Sequence, residues 1–405
     1  MENEGEPLAL LPWEDENLAR TVQEAWLEAN RTGAVAEFRR EVPPHVAMVF
    51  PFMREATPEN GPQRLVWLPD GRIAVQLGSL RKPDQLRWVA INSDRVEDLP
   101  GIVALGRSTD HRYLAVGRDS GIEIQSAFGE VVAWHAWPQP YHPQGRAGDD
   151  GRLEDTVIDL IPCRDGRRVI VVALQSVTRL GGRGVELIDG EGGAFGPKVA
   201  LSPDDDLLAI TTYGTRRIYR GEPARLAAEL GWWFGIGSGP GGFSADGRVL
   251  AFNGSRVYSG TMYGVEVGSL DQFAPGRFVP PTEGLRELGG ELPPGVVCYD
   301  EFGKPGFAVP HRDDFILAGH DSTITGISLD GRHLWRHTAP GKSVTGIDIA
   351  VDGSQLAVAS SRQLVVVFDL DVLAEGEVDE FSPGTSPHRE AYRWFFDPTH
   401  GPLRW

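Results

Sequence analysis

Cysteine is nearly absent from this 405-residue chain, which contains only Cys163 and Cys298. Two cysteines do not make a disulfide framework, and so low a number is typical of proteins in a reducing compartment. Both lie in apolar, strand-like runs without a Cys-x-x-Cys motif, so we expect them to be buried small hydrophobes. No apolar run approaches the ~18 residues of a membrane span, and the first residues are acidic where a secretory signal is basic. We therefore expect a cytoplasmic protein.

Positive charge is also scarce, because 39 basic residues face 57 acidic ones and the net charge is −18. So acidic a surface repels phosphate backbones and anionic lipid headgroups, which argues against nucleic-acid binding and membrane binding. The same charge would speed the encounter with a basic protein or a cationic ligand. An acidic surface also serves solubility alone, so it does not by itself define a partner.

Recognisable catalytic motifs are missing as well. The chain has no Gly-x-Ser-x-Gly elbow, and Gly235–Gly242 lacks the Lys-Ser/Thr pair and the following helix of a phosphate-binding loop. His333 and His337 lie in a strand-like segment, where four residues span about 13 Å, too far for one zinc ion. A second set has only generic spacing for a metal: His135, His142, Asp149 and Asp150. We therefore predict no catalytic residues, no metal and no cofactor, and favour a protein that is not an enzyme.

What the chain does contain is a turn that recurs seven times between short strand-like segments. Successive turns are separated by 40, 55, 39, 42, 67 and 39 residues. A period near ~40 residues with strands on both sides of a polar turn is typical of radial β-sheet arrays. Asp bonds local backbone and Gly accepts a positive φ, so these residue types suit the turn. The seven turns are Asp70-Gly71, Asp110-His111, Asp165-Gly166, Asp204-Asp205, Asp246-Gly247, Asp313-Asp314 and Asp352-Gly353.

The segments around these turns read as propeller blades. In the last repeat, Val344–Ala350 alternates, Gln355–Ala359 returns and Leu364–Leu370 follows as a third apolar strand. Ser202-Pro203-Asp204-Asp205 and Phe243–Gly247, each before an apolar run, resemble WD-repeat and related propeller blades, and Phe315–Trp335 resembles quinoprotein-type blades, which have the same architecture. The resemblance implies an all-β, seven-bladed β-propeller of a divergent WD40-like kind. No blade combines a Gly-His start with a Trp-Asp end, and six or eight blades stay open because the longest gap has room for a degenerate one.

The two ends of the chain differ from the repeats. Residues 13–42 show helical periodicity, interrupted at Thr32-Gly33 and ended by Pro43-Pro44. We divide the chain into an N-terminal helical arm (1–45), the propeller (46–371) and a C-terminal tail (372–405) that packs on it. Closing the ring requires a fourth strand for the last blade, and we expect Val46–Phe50 to supply it.

Three unusual segments between strands are candidates for recognition. Two are aromatic, around Trp134–Pro143 and Gly231–Gly235, and the third is the Pro/Gly-rich stretch 271–294. We expect all three to join an outer strand to the next blade's inner strand and therefore to share one face. Loops on a rigid scaffold often carry recognition, and Trp and Tyr are enriched at binding hot spots. The predicted binding residues are Trp137, Tyr141, Trp232, Trp233 and Phe234.

The main functional hypothesis is a non-catalytic protein-binding module or scaffold that uses these aromatics on one propeller face. One alternative is a propeller enzyme or metal-dependent hydrolase with axial carboxylates, for which inner-strand acids such as Asp159 and Asp348 are candidates. Others are a structural subunit of a larger complex and an immunity-type protein that neutralises a cognate toxin. The partner, the pathway and the oligomeric state do not follow from the sequence.

Overall fold

A computed structural model describes fourteen stretches of the chain. They are residues 16–41, 62–79, 82–138, 156–190, 196–212, 215–231, 241–255, 260–277, 292–300, 305–319, 323–338, 344–360, 364–375 and 391–404. Within them, seven antiparallel sheets form a ring, which is the predicted seven-bladed β-propeller with an N-terminal helical segment. None of the helices in these stretches is both long enough and apolar enough to cross a membrane.

Blades 1 to 4 each have four strands in sequence order from the axis outward. Blade 1 is β1 (Pro62–Trp67), β2 (Ile73–Ser79), β3 (Lys82–Ile91) and β4 (Val96–Asp98). Blade 2 is β5 (Ile102–Arg107), β6 (Tyr113–Arg118), β7 (Gly121–Ser126) and β8 (Val131–His135). Blade 3 is β9 (Val157–Pro162), β10 (Val169–Ala173), β11 (Val177–Gly181) and β12 (Gly184–Asp189). Blade 4 is β13 (Lys198–Leu201), β14 (Leu207–Thr212), β15 (Thr215–Arg220) and β16 (Arg225–Leu230).

Blades 5 and 6 repeat this order, and blade 7 has one more strand. Blade 5 is β17 (Gly242–Phe243), β18 (Val249–Ser255), β19 (Gly260–Glu266) and β20 (Val296–Asp300), with a 3-10 helix at Val267–Phe273. Blade 6 is β21 (Pro305–His311), β22 (Asp314–Gly319), β23 (Thr323–Ser328) and β24 (His333–Thr338). Blade 7 is β25 (Val344–Ile349), β26 (Gln355–Ser360), β27 (Val365–Asp369), β28 (Tyr392–Asp397) and β29 (Gly401–Arg404). A short helix, Leu370–Ala374, follows β27.

All seven predicted turns join the first strand of a blade to the second, so the repeat register is confirmed. The turn of blade 4 shows why these residues occur there. Asp204 accepts hydrogen bonds from the Ser202 hydroxyl (2.6 Å) and the Asp206 backbone N–H (3.1 Å). The Ser202 hydroxyl oxygen accepts from the Leu207 N–H at 2.8 Å, which fixes the start of the second strand. Asp205 has a φ of 64°, a conformation that Asp tolerates better than most residues do.

Apolar side chains fill the spaces between neighbouring blades. The second strand of blade 3 is buried at every position, as expected for sheets covered on both faces. Neighbouring inner strands approach closely near the axis, where a Cβ on Gly106 would lie 1.5 Å from the Leu160 carbonyl oxygen. Cys163 is buried as predicted, whereas Cys298 is only half-buried, so the prediction was wrong for that residue. Burial raises the pKa of the Cys163 thiol to about 12, so it stays an uncharged thiol.

Blade 7 corrects one expectation from the sequence. Its fourth strand is Tyr392–Asp397 from the C-terminal tail, so the prediction that Val46–Phe50 supplies this strand is wrong. Val46–Phe50 themselves lie outside the described residues. The aromatic residues of the tail pair with the buried strand Val365–Asp369 and cover it. Burial of these aromatic side chains favours the tail segment as the fourth strand of blade 7.

The N-terminal segment forms two helices, α1 (Glu16–Thr32) and α2 (Val35–Glu41), separated at Gly33 as predicted. The indole of Trp26 is buried against Phe395 in a T-shaped contact, with ring centroids 5.7 Å apart. The Asn30 amide group accepts from the Arg404 backbone N–H at 2.6 Å and donates to the Arg404 carbonyl oxygen at 3.2 Å. Helix α1 therefore caps the outer edge of blade 7 and pairs with backbone groups there.

Candidate functional site

The antiparallel order of each blade assigns every connection to one of two ends of the propeller. Connections between first and second strands and between third and fourth strands leave one end, which we call the turn end. Connections between second and third strands and between successive blades leave the opposite end, which we call the link end. The seven Asp-containing turns lie at the turn end.

Both aromatic segments are connections between blades and leave the link end. The first runs from β8 of blade 2 to β9 of blade 3, and the second from β16 of blade 4 to β17 of blade 5. Tyr141, Trp232, Trp233 and Phe234 lie outside the described residues, so their binding role stays a prediction. The residues that flank these connections, Pro138, Thr156, Gly231 and Gly241, are described and fix the end of the ring from which they emerge.

Trp137 is the one predicted binding residue that the structure describes. Its indole N–H donates to the Arg118 carbonyl oxygen at 2.7 Å, and its ring packs over Gly117, where a Cβ would approach it to 2.9 Å. The side chain is half-buried beside Leu160, at the boundary between blades 2 and 3. Trp137 therefore anchors the start of the first aromatic connection.

The third segment, 271–294, has a different position from the one expected. It joins the third and fourth strands of blade 5, β19 and β20, and not blade 5 to blade 6. The prediction that all three segments share a face is therefore wrong, because this one leaves the turn end. The 67-residue gap contains this long connection within one blade, so it hides no eighth blade.

The outer strands of blades 2 and 3 expose apolar side chains that the sequence reasoning missed. Val131 and Trp134 on β8 are 57% and 55% exposed, and Val185 and Leu187 on β12 are 66% and 65% exposed. Phe128, in the turn before β8, is 92% exposed. The alternation of apolar and polar residues does not reveal this exposure, because apolar residues of an outer strand look like core residues in the sequence. They are exposed because no neighbouring sheet covers the outer strand.

A central channel with a volume of about 1200 Å³ lies between the blades of the described structure. The inner strands of all seven blades line it. Asp159 and Asp348 lie on its wall, where the sequence reasoning placed candidate axial carboxylates. Each carboxylate already has an arginine partner: Arg64 pairs with Asp159, and Arg107 pairs with Asp348 at 2.6 Å.

Asp348 also closes the ring. Its carboxylate accepts hydrogen bonds from the backbone N–H of Trp67 (2.7 Å) and of Ile349 (3.0 Å), while its carbonyl oxygen accepts from the Trp67 indole at 3.1 Å. One side chain of blade 7 is thereby bonded to blade 1 and, through Arg107, to blade 2. Burial raises the pKa of Asp348, and Arg107 and the backbone donors oppose that shift.

A lysine, Lys198 on β13, adds a further positive charge to the same channel wall. Burial lowers its pKa, the nearby charge of Arg64 lowers it further, and Asp159 opposes the shift. The described carboxylates include none within ion-pair distance of its amine. Arg107 likewise keeps one terminal nitrogen, Nη1, buried without a hydrogen-bond partner.

These charges decide what kind of ion the channel suits. Asp159 and Asp348 are each neutralised by an arginine, and the Lys198 amine beside them has no carboxylate within ion-pair distance among the described residues. Among the described residues, no group of three or more His, Cys, Asp or Glu side chains has metal-binding geometry. His135, from the generic metal set, contacts the Arg167 carbonyl oxygen at 2.8 Å, and its three companions lie outside the described residues. The described wall therefore favours an anion over a metal cation.

The turn end of the channel carries histidines. Burial lowers the pKa of His111 to about 4, and the neighbouring charge of Arg107 acts in the same direction. Burial also lowers the pKa of His311, whose Nε2 lies 3.1 Å from the Gly353 carbonyl oxygen. Both imidazoles are therefore neutral near pH 7, and the three arginines at this end, Arg107, Arg164 and Arg312, each pair with an aspartate.

No family model matches the chain, and no curated protein matches it in sequence. Solved structures do match its fold. A chain in the crystal structure of the mitotic checkpoint complex is 13% identical, with a TM-score of 0.51, covering 79% of this chain and 92% of that one. Sqt1 from Chaetomium thermophilum is 14% identical, with a TM-score of 0.50, covering 84% of this chain and 88% of that one.

Ring topology and these neighbours define the class. The protein is a seven-bladed β-propeller. This is the fold that the resemblance of the turn segments to WD-repeat blades implied. At so low an identity, the neighbours define the fold and leave the function to be argued from this chain.

Proposed function

We propose that the protein is a non-catalytic protein-binding module or scaffold whose recognition surface is the link end. The observation that carries this proposal is that both aromatic connections, 136–156 and 231–241, leave the same end of a rigid ring. A partner resting on that end would meet Tyr141 and the Trp232-Trp233-Phe234 cluster together. Aromatic side chains on loops held by a scaffold are favoured binding anchors.

The fold neighbours support a protein partner in general terms. One of them belongs, by its description, to a multi-protein checkpoint complex. A propeller offers wide ends and a rigid body, and so it serves binding without catalytic groups. The net charge of −18 would accelerate association with a basic partner and make that association sensitive to salt.

Trp137 has a supporting role in this proposal. Because its indole is bonded to the Arg118 carbonyl oxygen, it fixes the first connection close to the blade from which Tyr141 emerges. Holding a loop near its bound conformation reduces the entropy lost on binding. The anchor would therefore raise affinity without touching the partner.

The test is affinity capture from a native lysate with wild-type protein and the double variant Trp232→Ala/Trp233→Ala. Phe128→Ala is the matched control, because Phe128 is an aromatic residue exposed at the opposite, turn end. We expect the double variant to lose the captured protein and the control to retain it. Equal capture by all three proteins would show that the link-end aromatics are not the recognition surface.

A further inference from the structure

The central channel has an electrostatic character opposite to that of the whole protein. Its described lining includes five cationic side chains (Arg64, Arg107, Arg164, Lys198 and Arg312) and four carboxylates (Asp110, Asp159, Asp348 and Asp352). The lining thus holds one more cation than carboxylate, in a chain whose net charge is −18, and two of its arginines, Arg164 and Arg312, pair with Asp110 and Asp371. Low-dielectric walls strengthen the field of such a charge compared with the same charge at the surface.

The excess charge can be assigned to one residue. Arg64 and Arg107 each neutralise an aspartate, whereas Lys198, half-buried on the same channel wall, has no carboxylate within ion-pair distance among the described residues. Asp159 attracts its ammonium, but that carboxylate is already paired with Arg64, whose own charge repels Lys198. A bound anion would add the counter-charge that these two neighbouring cations share only with Asp159.

The opposite wall leaves room for such an anion. The inner strands of blades 5 and 6 contribute small or apolar groups to the lining, including Gly242, Gly306 and Ala308, and blade 7 adds Thr345 and Gly346 beside the paired Asp348. A cavity of about 1200 Å³ exceeds the volume of a single ion and is large enough for a molecule of metabolite size. Cations on one side and glycines on the other would orient a ligand with its charged group toward blades 1 and 4.

We propose that the central channel binds a small molecule through an oxyanion group, a phosphate or a carboxylate, which pairs with Lys198 and Arg64. Lys198 supplies a compact charge with three donors, and Arg64 supplies the N–H groups not used by Asp159 and the Ile158 carbonyl oxygen. Asp159 holds the Arg64 guanidinium in place for this contact. The site does not depend on the proposed recognition of a protein at the link end.

The experiment is isothermal titration calorimetry at constant ionic strength with two probes, inorganic phosphate and citrate. The wild type is compared with Lys198→Met, Lys198→Arg and a control, Arg225→Met. The control removes one positive charge from an exposed position on the outer strand of the same blade. Comparison of the two probes distinguishes a phosphate site from a carboxylate site.

We expect saturable binding of at least one probe, weakened about tenfold or more by Lys198→Met, because a hydrogen-bonded charge contact is worth roughly 1.5–3 kcal/mol. Lys198→Arg should retain most of the affinity, and Arg225→Met should match the wild type. Removing this half-buried charge, which has no ion-pair partner, should not unfold the protein, and a circular dichroism melt would verify this. Absence of binding of both probes, or an equal loss in Lys198→Met and Arg225→Met, would overturn the proposal.

Discussion

Replacing Asp348 with asparagine should weaken the closure of the ring. The carboxylate accepts two backbone N–H groups and pairs with Arg107 at 2.6 Å, so it joins blade 7 to blades 1 and 2. Asparagine keeps the shape but loses the charge, and its amide nitrogen would face one of the three donors. Arg107, which already has one unpaired nitrogen, would then be a buried cation without a counter-charge.

Breaking a buried ion pair by removing one partner typically costs about 3–5 kcal/mol, and we expect Asp348→Asn to lower the free energy of unfolding by that amount. The raised pKa of Asp348 means that burial disfavours its charge even with Arg107 beside it, so the expected loss comes mainly from the arginine left without a counter-charge. The double variant Arg107→Met/Asp348→Asn should therefore lose less stability than the sum of the two single variants. A coupling energy of roughly 1–3 kcal/mol is expected for groups in direct contact.

Urea unfolding followed by tryptophan fluorescence measures these differences. The matched control is Asp371→Asn, which removes the acid of an exposed pair, Arg312–Asp371 at 2.7 Å. We expect this control to cost less than about 1 kcal/mol. Strict additivity of Arg107→Met and Asp348→Asn, or equal effects of Asp348→Asn and Asp371→Asn, would refute the assignment of Asp348 as the clasp of the ring.

Three further predictions concern buried groups. The folded pKa of His111 is about 4 and its ordinary value is 6.5, so the unfolded chain binds the proton first and stability falls as the pH drops from 6.5 to 4. His111→Asn, which tolerates the φ of 62°, should flatten the pH dependence of Tm in that range, and an unchanged slope would contradict this. The Arg216 guanidinium is buried 4.8 Å from the centre of the Phe252 ring and has no hydrogen-bond partner. Arg216→Met should therefore melt at an equal or higher temperature than the wild type. A clear drop in Tm would contradict this, because it would mean that the arginine makes a stabilising contact. Trp26→Ala should lower the free energy of unfolding by about 3–5 kcal/mol and make the N-terminal helices accessible to limited proteolysis. An unaltered digestion pattern would mean that other contacts hold helix α1.

The blade pattern could be predicted from the sequence because the residues that make it are local. Asp, Ser and Gly at the first turn of each blade act on backbone groups within a few positions, as Ser202 and Asp204 do. The same locality explains the helix break at Gly33, which adopts a positive φ. Contacts between residues that are close in the chain can therefore be predicted from the sequence.

Contacts between residues that are far apart in the chain could not be predicted in this way. Arg107 and Asp348 are 241 residues apart in the chain, and Trp26 and Arg404 are 378 apart, so only the closed ring brings them together. Tyr392–Asp397 lacks an Asp-Gly turn before it, and its aromatic composition suggested a packing segment more than a strand of blade 7. The sequence shows that 271–294 lies between two strands but not which strands of a blade they are. Because it follows the third strand of blade 5 and not the fourth, it leaves the turn end. The unpaired charge of Lys198 likewise emerges only from the geometry of the channel.

The most direct test of the proposed binding surface is hydrogen–deuterium exchange of the propeller with and without its captured partner. We expect slower exchange in the two connections at the link end, 136–156 and 231–241. Exchange should stay unchanged in the first turns of the blades and in the connection 271–294, which leave the turn end. Protection confined to the turn end, or to the exposed outer strands of blades 2 and 3, would contradict the proposal that the link end binds the partner.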